Sequence, residues 1–343
     1  MALRDELVAR IRAQGKSEET AKSYWNWIAR YLRFVKLRRG EWVHPAELGR
    51  GDVEGWLSDL ANVWDCSPNT QNVALQAVCY LYREILGKPL QGVDALRAKR
   101  PQRVREVLDV SEVARVLDEL RGVHLLVAQL IYGCGLRIND VAKLRIKDIS
   151  FERCQLHLRE GKGAKDRFAC FPEVLHEPVR RQLESMRVLH RHDVADGLAG
   201  VSLPYAWARK SPTSRLDFGW WYLFSADRYS RCPRSGLMLR HHRHRTHLGA
   251  AIGKAAKRAG IEKRVTSHVL RHCYATHANE LGVDVTILQQ LLGHSDVRTT
   301  MIYVHGNRER ATAAVSPLAA MLAAPDQVLA LRGSSGVHIA RTG

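Results

Sequence analysis

The sequence predicts a mainly α-helical protein built from two domains. Apolar residues recur at spacings of three and four through most of the chain, which is the period of amphipathic helices. Strand-like alternation is confined to three short stretches between residues 148 and 172, which predict one small antiparallel sheet. At 343 residues the chain is long enough to form two separate hydrophobic cores.

Residues 1–96 are predicted to form a domain of four helices. The first carries its own apolar stripe, and Ser17 is placed to cap the second. Asp52 lies at the expected start of the third helix. Pro68 begins the fourth, which should run to about Leu86.

Residues 97–106 are predicted to be a linker between the domains. Five of the nine residues from 97 to 105 are basic, and a proline in their middle stops any helix. Arg100, Arg103 and Arg105 are candidates for contacts with nucleic-acid phosphates, each of which would release a counterion. The alternative is a charged stretch that is simply solvated.

The second predicted domain covers residues 107–315. Its first helix is expected to begin with Ser111 as the N-cap, and its second should stop at the glycines near residue 134. The sheet follows, with Lys162 on its last hairpin. An insert at about 190–236 is predicted to be irregular, and it is rich in tryptophan, tyrosine and arginine.

Two amphipathic helices are predicted between residues 267 and 292. Val269, Cys273, Thr276 and Leu281 form the apolar stripe of the first, and the second carries leucines at helical spacing. Gly293 should end the second helix, so that His294 lies just beyond it. The tail at 316–343 is predicted to be partly disordered.

The composition favours a polyanionic partner. The chain has 53 Lys and Arg against 35 Asp and Glu, a formal net charge of +18. Nucleic acid is the leading candidate, although charge alone does not distinguish DNA from RNA or from an anionic membrane surface. The seven cysteines are scattered without a Cys-x-x-Cys, and no signal peptide or membrane span is apparent, so a cytoplasmic protein is expected.

A histidine-rich stretch at residues 241–247 could suggest a metal site. Arginines are interleaved with these histidines and no cysteine or carboxylate completes a ligand set, so no metal is predicted. The stretch is instead predicted to be a basic helix facing DNA, with His242 and Arg243 as contacts.

Six polar residues near predicted turns and helix ends form a candidate catalytic set: Arg137, Lys162, His268, Arg271, His294 and Tyr303. A tyrosine that attacks a phosphodiester needs arginines to hold the non-bridging oxygens. It also needs an acid for the leaving oxygen and a neighbouring group that assists its own deprotonation. The set supplies all of these without a cofactor. Each residue taken alone has an ordinary structural explanation, but together they predict phosphoryl-transfer chemistry.

The chain resembles the tyrosine recombinases of the phage-integrase type. The resemblance is carried by five segments: YGCGLR at 132–137, GKGAKDR at 161–167, HVLRHCYATH at 268–277, LLGHS at 291–295 and TTMIY at 299–303. It implies a helical SAM-like core-binding domain followed by a mostly helical catalytic domain, which together form a clamp around DNA.

By position, the resemblance makes Tyr303 the nucleophile that forms a 3′-phosphotyrosyl bond. It places Arg137, Arg271, His268 and His294 on the scissile phosphate. Lys162 would protonate the 5′-hydroxyl leaving group, and Asp140, three residues after Arg137, would orient the site. The resemblance also implies a homotetramer acting on two DNA sites.

The insert resembles that of integron integrases, which act on folded single-stranded sites and hold flipped-out bases. Trp207, Trp220 and Trp221 are therefore candidate base-stacking residues, with burial in the core as the alternative for each. Two other functions stay open: a Xer-like or mobile-element recombinase on duplex sites, and an inactive relative that only binds DNA.

Overall fold

The computed structural model describes residues 3–92, 107–159, 166–198, 200–232, 235–292 and 316–323. The chain divides into two compact units, Met1–Val104 and Arg105–Gly343. The mainly helical prediction is confirmed. Every regular element described in the first unit is a helix, and the described part of the second unit consists of helices and two small antiparallel sheets. None of the described helices is long and apolar enough to cross a membrane.

The first unit contains the four predicted helices: α1 (Leu3–Ala13), α2 (Glu18–Arg39), α3 (Arg50–Asn62) and α4 (Pro68–Tyr80), the last extended by a π-helical turn at Leu81–Ile85. Ser17 caps α2 as predicted. Helix α3 begins two residues earlier than the predicted Asp52. The Asp52 carboxylate accepts the backbone N–H of Gly49 at 3.0 Å, so this residue closes the first turn instead of preceding it.

Aromatic side chains fill the centre of the first unit. Tyr31, Trp56 and Tyr82 are almost fully buried, and the Tyr31 and Tyr82 hydroxyls are 3.2 Å apart. The pair of hydroxyls satisfies two polar groups that would otherwise be buried without partners. Helices α2, α3 and α4 therefore pack around a core whose few polar atoms bond to one another.

The second unit begins with three helices, a three-stranded sheet and a long helix: α5 (Val110–Asp118), α6 (Gly122–Cys134), α7 (Ile138–Lys143), β1 (Ile149–Ser150), β2 (Gln155–Leu158), β3 (Arg167–Cys170) and α8 (His176–Ala195). The strands are antiparallel in the order β1-β2-β3, and Leu156 pairs with Ala169. This confirms the predicted sheet.

The predicted N-cap of α5 is wrong. The helix starts at Val110, and Asp109 occupies the N-cap position in place of Ser111. The Asp109 backbone N–H donates to the Glu112 carboxylate at 2.8 Å, which is half of a capping box. Both Asp109 and Ser111 are residue types that can cap a helix. Glu112 favours Asp109, because its carboxylate accepts the Asp109 backbone N–H.

The insert is more ordered than predicted. It contains α9 (Tyr205–Lys210) and a hairpin of β4 (Ser225–Arg231) and β5 (Met238–His242). Most β4 side chains are exposed or half-buried, so the strand shows no clear apolar alternation. The basic helix predicted across residues 241–247 is also wrong at its start, because His242 ends β5.

The remaining elements are α10 (Arg245–Arg258), α11 (Ser267–Glu280), α12 (Val285–Leu292) and α13 (Pro317–Ala323). His244 caps α10. Helix α12 is described as far as Leu292, and the helix stop predicted at Gly293 lies outside the described residues. In the stripe predicted for α11, only Cys273 is fully buried. The buried face instead carries Leu270, Arg271, Tyr274 and His277, so two polar residues displace the pattern.

Candidate active site

Arg271 lies at the centre of the candidate site and is buried. Its side chain projects from α11 towards the ends of two other helices. Nη1 donates to the carbonyl oxygen of Gly135 at 2.6 Å, and Nη2 donates to the carbonyl oxygen of Leu292. Carbonyl groups at helix ends lack partners within the helix, so α6 and α12 offer free acceptors at this point. The guanidinium is thereby fixed by two helix C-termini.

Gly135 makes this arrangement possible. It is the C-cap of α6 with φ of +62°, a left-handed conformation that favours glycine. A Cβ atom here would lie 2.5 Å from ring carbons of Tyr274. The glycine therefore permits both the turn and the close approach of α11, and it directs the chain into α7.

Arg137 and Asp140 occupy the first turn of α7. Arg137 is the N-cap residue, and its backbone N–H donates to Oδ2 of Asp140 at 3.1 Å. The same carboxylate oxygen pairs with Nη2 of Arg167. Asp140 thus connects the backbone of one arginine to the side chain of another.

Arg167 was not predicted as a site residue. It begins β3, its side chain is 11% exposed, and Nη1 donates to the carbonyl oxygen of Leu291 at 3.2 Å. The available signal was its position directly after the predicted turn that carries Lys162, as the first residue of the next predicted strand. That signal does not distinguish an exposed strand arginine from one that turns into the core.

The three arginines influence one another electrostatically. Burial, followed by the charges of Arg137 and Arg167, lowers the pKa of Arg271 to about 9, and Asp140 opposes this shift. Burial also lowers the pKa of Arg167, again with Arg137 contributing. The cluster therefore concentrates positive charge in a low-dielectric setting, which is suited to an anion with several oxygen acceptors.

Of the other four catalytic candidates, only His268 lies within the described residues. His268 is exposed on the first turn of α11, three residues before Arg271 and therefore on a neighbouring part of the same helix face. Lys162, His294 and Tyr303 lie outside the described residues, as do Arg100, Arg103 and Arg105. Most of the tail predicted at 316–343 is outside them too.

The chain leaves and re-enters the described structure beside the arginine cluster. Leu292, the last described residue before the segment 293–315, accepts a hydrogen bond from Arg271. After that segment, the Ser316 hydroxyl donates to the carbonyl oxygen of Gly133 at 2.7 Å. Leu292 and Ser316, the described residues on either side of the segment that contains Tyr303, thus both lie near the C-terminus of α6.

The insert forms a separate aromatic cluster. Arg145 donates to the carbonyl oxygens of Trp220 and Ser202 at 2.5 and 2.9 Å and to the Tyr222 hydroxyl at 3.1 Å. Lys147 lies over the Trp220 ring, and Trp207 packs against Trp220 with 5.4 Å between ring centroids. These two tryptophans are the exposed and half-exposed members of the cluster.

Trp221 corrects a prediction. Its side chain is fully buried and packs against Val201 and Tyr222, so it is a core residue of the insert and has no surface for base stacking. Its direct neighbour Trp220 ends a 3-10 turn, is half-buried and packs against the same cluster. Composition alone could not reveal that only one of these two adjacent tryptophans is fully buried.

His242 and Arg243 already have partners. The ring of His242 donates from Nδ1 to the carbonyl oxygen of Arg243 at 2.9 Å, and burial lowers the pKa of His242. Arg243 donates to Asp227 at 2.6 Å. Both side chains stay partly exposed, and their contacts with DNA remain a prediction. Within the described ranges no group of three or more His, Cys, Asp or Glu side chains could hold a metal ion.

The chain is similar to known proteins over most of its length. Residues 106–310 match the phage integrase family, and residues 3–92 match the phage integrase N-terminal SAM-like domain. A protein named integrase/recombinase from Escherichia coli is 40% identical over 92% of this chain and 93% of its own length. Tyrosine recombinase XerA from Thermococcus kodakarensis is 30% identical over 87% of this chain and 89% of its own.

Solved structures share the fold. The Tn1549 transposon integrase in complex with transposon right end DNA gives a TM-score of 0.56 at 16% identity, covering 94% of this chain and 99% of that one. A lambda integrase dimer bound to a COC′ core site gives 0.54 at 15% identity, covering 86% and 94%.

The chain belongs to the phage integrase family. More particularly, it is a tyrosine site-specific recombinase that acts on DNA, with a SAM-like N-terminal domain and the family's catalytic domain.

Proposed function

We propose that Tyr303 cuts DNA by attacking a phosphodiester held on Arg137 and Arg271. The observation that carries this proposal is the burial of Arg271 beside two further guanidiniums, with helix-end carbonyls as its direct partners. A phosphate would add negative charge to a cluster in which the Asp140 carboxylate lies beside three guanidiniums. Each guanidinium presents paired N–H donors that match the oxygens of a phosphate.

In the proposed reaction, the tyrosine oxygen bonds to phosphorus and the bond to the 5′ oxygen breaks. Lys162 gives that oxygen a proton, and a neighbouring imidazole accepts the proton that the Tyr303 phenol loses. His268 and His294 hydrogen-bond the remaining phosphate oxygens. The phosphotyrosyl bond conserves the energy for rejoining, so attack by another 5′-hydroxyl restores a DNA strand and frees Tyr303. No cofactor takes part.

We also propose a larger arrangement for the DNA complex. Residues 1–96 and 107–315 would both bind DNA, and the linker at 97–106 would contact its phosphates through Arg100, Arg103 and Arg105. Four copies of the chain would act on two sites, because exchange of two duplexes requires four strand cleavages.

For the substrate, we propose folded single-stranded recombination sites of the integron type. Trp207 and Trp220 support this, because their rings are in contact at a tilt of 33°, Trp207 is 42% exposed, and a lysine lies over the Trp220 ring. Unpaired bases stack on aromatic faces, and the nearby charge would attract the strand. The competing proposal is recombination of duplex sites only.

The cleavage proposal is tested with a nicked suicide substrate that loses a short 5′-hydroxyl fragment after cutting. Wild-type protein should form a covalent protein–DNA adduct that denaturing electrophoresis detects, and Tyr303→Phe should form none. An absence of adduct with wild-type protein would support the inactive DNA-binding relative, and an adduct that persists in Tyr303→Phe would assign another nucleophile.

The substrate proposal is tested by binding measurements on a folded cassette hairpin and a duplex of the same sequence. Wild-type protein should prefer the hairpin, and Trp207→Ala should weaken hairpin binding about tenfold, in line with the loss of one stacked base. Leu216→Ala, which removes an exposed aliphatic side chain from the same insert, is the control. Equal affinity of wild-type protein for both DNAs would favour duplex recombination.

A further inference from the structure

Arg167 connects three elements around the candidate site, although it is outside the six-residue catalytic set. It belongs to β3, pairs with Asp140 of α7, and donates to the carbonyl oxygen of Leu291 in α12. Both members of the Arg167–Asp140 pair are 11% exposed. A side chain so placed controls the relative positions of the elements it joins.

The contact with α12 couples Arg167 to Arg271. Leu291 and Leu292 provide consecutive carbonyl groups in the last turn of α12, and each accepts from a different arginine. The C-terminal end of a helix carries partial negative charge, which favours two cations at this point. One helix end therefore sets the spacing between the two guanidiniums.

The contact with α7 couples Arg167 to Arg137. Asp140 accepts the backbone N–H of Arg137 through the same oxygen that pairs with Arg167. If Arg167 is lost, this carboxylate keeps its capping contact but loses the cation that fixes its rotamer. The N-cap of α7, from which the Arg137 side chain projects, is then less constrained.

Arg167 is not bonded as a purely structural arginine would be. Its Nε atom is buried and has no hydrogen-bond partner within the described part of the chain. A buried N–H without an acceptor is unfavourable for folding. The Arg167 guanidinium is thus held in a geometry that leaves one of its donors without a hydrogen bond.

We infer that Arg167 is a positioning residue that sets the separation of Arg137 and Arg271, so that both can grip one phosphate. This inference rests on the proposed function, because it assumes that the two arginines hold the scissile phosphate. Arg167 acts through Asp140 and the end of α12, and it does not itself contact DNA.

The test is single-turnover adduct formation on the suicide substrate at saturating protein. Arg167→Met should slow adduct formation about 100-fold while the Kd for DNA stays within about threefold of wild type. Arg167→Lys should also be slow, because an ammonium cannot span the carboxylate and the carbonyl in one plane. Arg258→Met is the matched control, since Arg258 likewise bridges a carboxylate and a carbonyl, both of Glu119, away from the site.

A second substrate separates positioning of the arginines from an effect on the Lys162 hairpin, which precedes Arg167 in the chain. Replacement of the 5′ bridging oxygen by sulfur gives a leaving group that needs no proton. Lys162→Ala should regain most of its rate on this substrate, whereas Arg167→Met should stay slow. Rescue of Arg167→Met would overturn the inference, because the residue would then act on leaving-group protonation.

The outcomes also distinguish this inference from the proposed function. If wild-type protein forms no adduct, the proposed function fails. If wild-type protein does form it and Arg167→Met does so at the wild-type rate, only the role of Arg167 is wrong. Should Arg167→Met unfold at the assay temperature, Arg167→Lys, which keeps the buried charge, provides the same comparison, and a wild-type rate there contradicts the inference.

Discussion

Arg271 and Arg240 are buried to the same degree in the same unit, yet they are bonded differently. Arg240, on β5, donates to both carboxylate oxygens of Asp193 at 2.5 and 2.7 Å and to the carbonyl oxygen of Ala226 at 2.6 Å. The direct partners of Arg271 are the carbonyl oxygens of Gly135 and Leu292. Asp193 therefore neutralises Arg240 inside the fold, whereas the direct partners of Arg271 only orient its guanidinium.

The pKa values follow this difference. Burial alone would lower the pKa of Arg240, but the hydrogen bonds and charge of Asp193 raise it above its ordinary value. Burial and two neighbouring arginines lower the pKa of Arg271. A buried arginine with its own carboxylate joins elements of the fold, whereas a buried arginine beside other arginines is suited to bind an anion from outside.

The largest expected effect on stability comes from breaking the Arg240–Asp193 pair. Arg240→Met leaves a buried carboxylate without its cation, so the free energy of unfolding should fall by about 3–5 kcal/mol in urea denaturation. The double variant Asp193→Leu, Arg240→Met should recover most of that loss. A single variant as stable as wild type would show that the pair does not hold β5 to α8.

The next largest effect should follow from Gly135→Ala, which disturbs a backbone carbonyl group that accepts a hydrogen bond from Arg271. The added methyl group meets the Tyr274 ring and the backbone has a positive φ, so a loss of about 2–4 kcal/mol is expected, together with slower adduct formation. Gly122→Ala is the matched control in the same helix. Gly122 also has a positive φ, +53°, but a Cβ atom there would contact nothing within 4 Å. Equal losses of stability in the two variants would show that close packing against Tyr274 does not contribute to the effect.

The smallest effect on stability concerns His277, a buried histidine whose burial disfavours the charged form. Its Nδ1 is 2.8 Å from the Tyr132 hydroxyl, and burial lowers its pKa below the ordinary 6.5. The unfolded chain therefore binds the proton first as the pH falls, and stability should decrease below about pH 6.5. His277→Asn should lose about 1 kcal/mol at pH 7 and show a shallower decrease under acid. An unchanged slope would assign the acid sensitivity to another group.

The sequence was sufficient for the helices of the first unit and for the three-stranded sheet, because apolar period and turn residues act locally there. Their motifs and the chemistry of phosphate binding also led to Arg137 and Arg271 as candidates, and their joint role on a phosphate stays a prediction. The contacts that hold Arg271 at the ends of α6 and α12 depend on tertiary packing, which the spacing of residues does not encode.

The incorrect predictions share this cause. Trp220 and Trp221 are neighbours with the same side chain, and only the packing of the insert decides that Trp221 is buried. The stripe predicted for α11 followed apolar residues, whereas the true inner face includes Arg271 and His277. Arg167 was missed for the same reason, because a polar residue that turns inward looks like a surface residue in sequence.

The most direct measurement compares Arg271→Met with Arg240→Met in single-turnover adduct formation on a duplex suicide substrate, at a temperature where both variants are folded. The account predicts that Arg271→Met slows adduct formation by about 10²–10³-fold, as expected when a donor to the transition-state oxygens is removed. It also predicts that Arg240→Met stays within about tenfold of wild type despite its lower stability. Near-normal adduct formation by Arg271→Met would contradict the assignment of its guanidinium to the scissile phosphate.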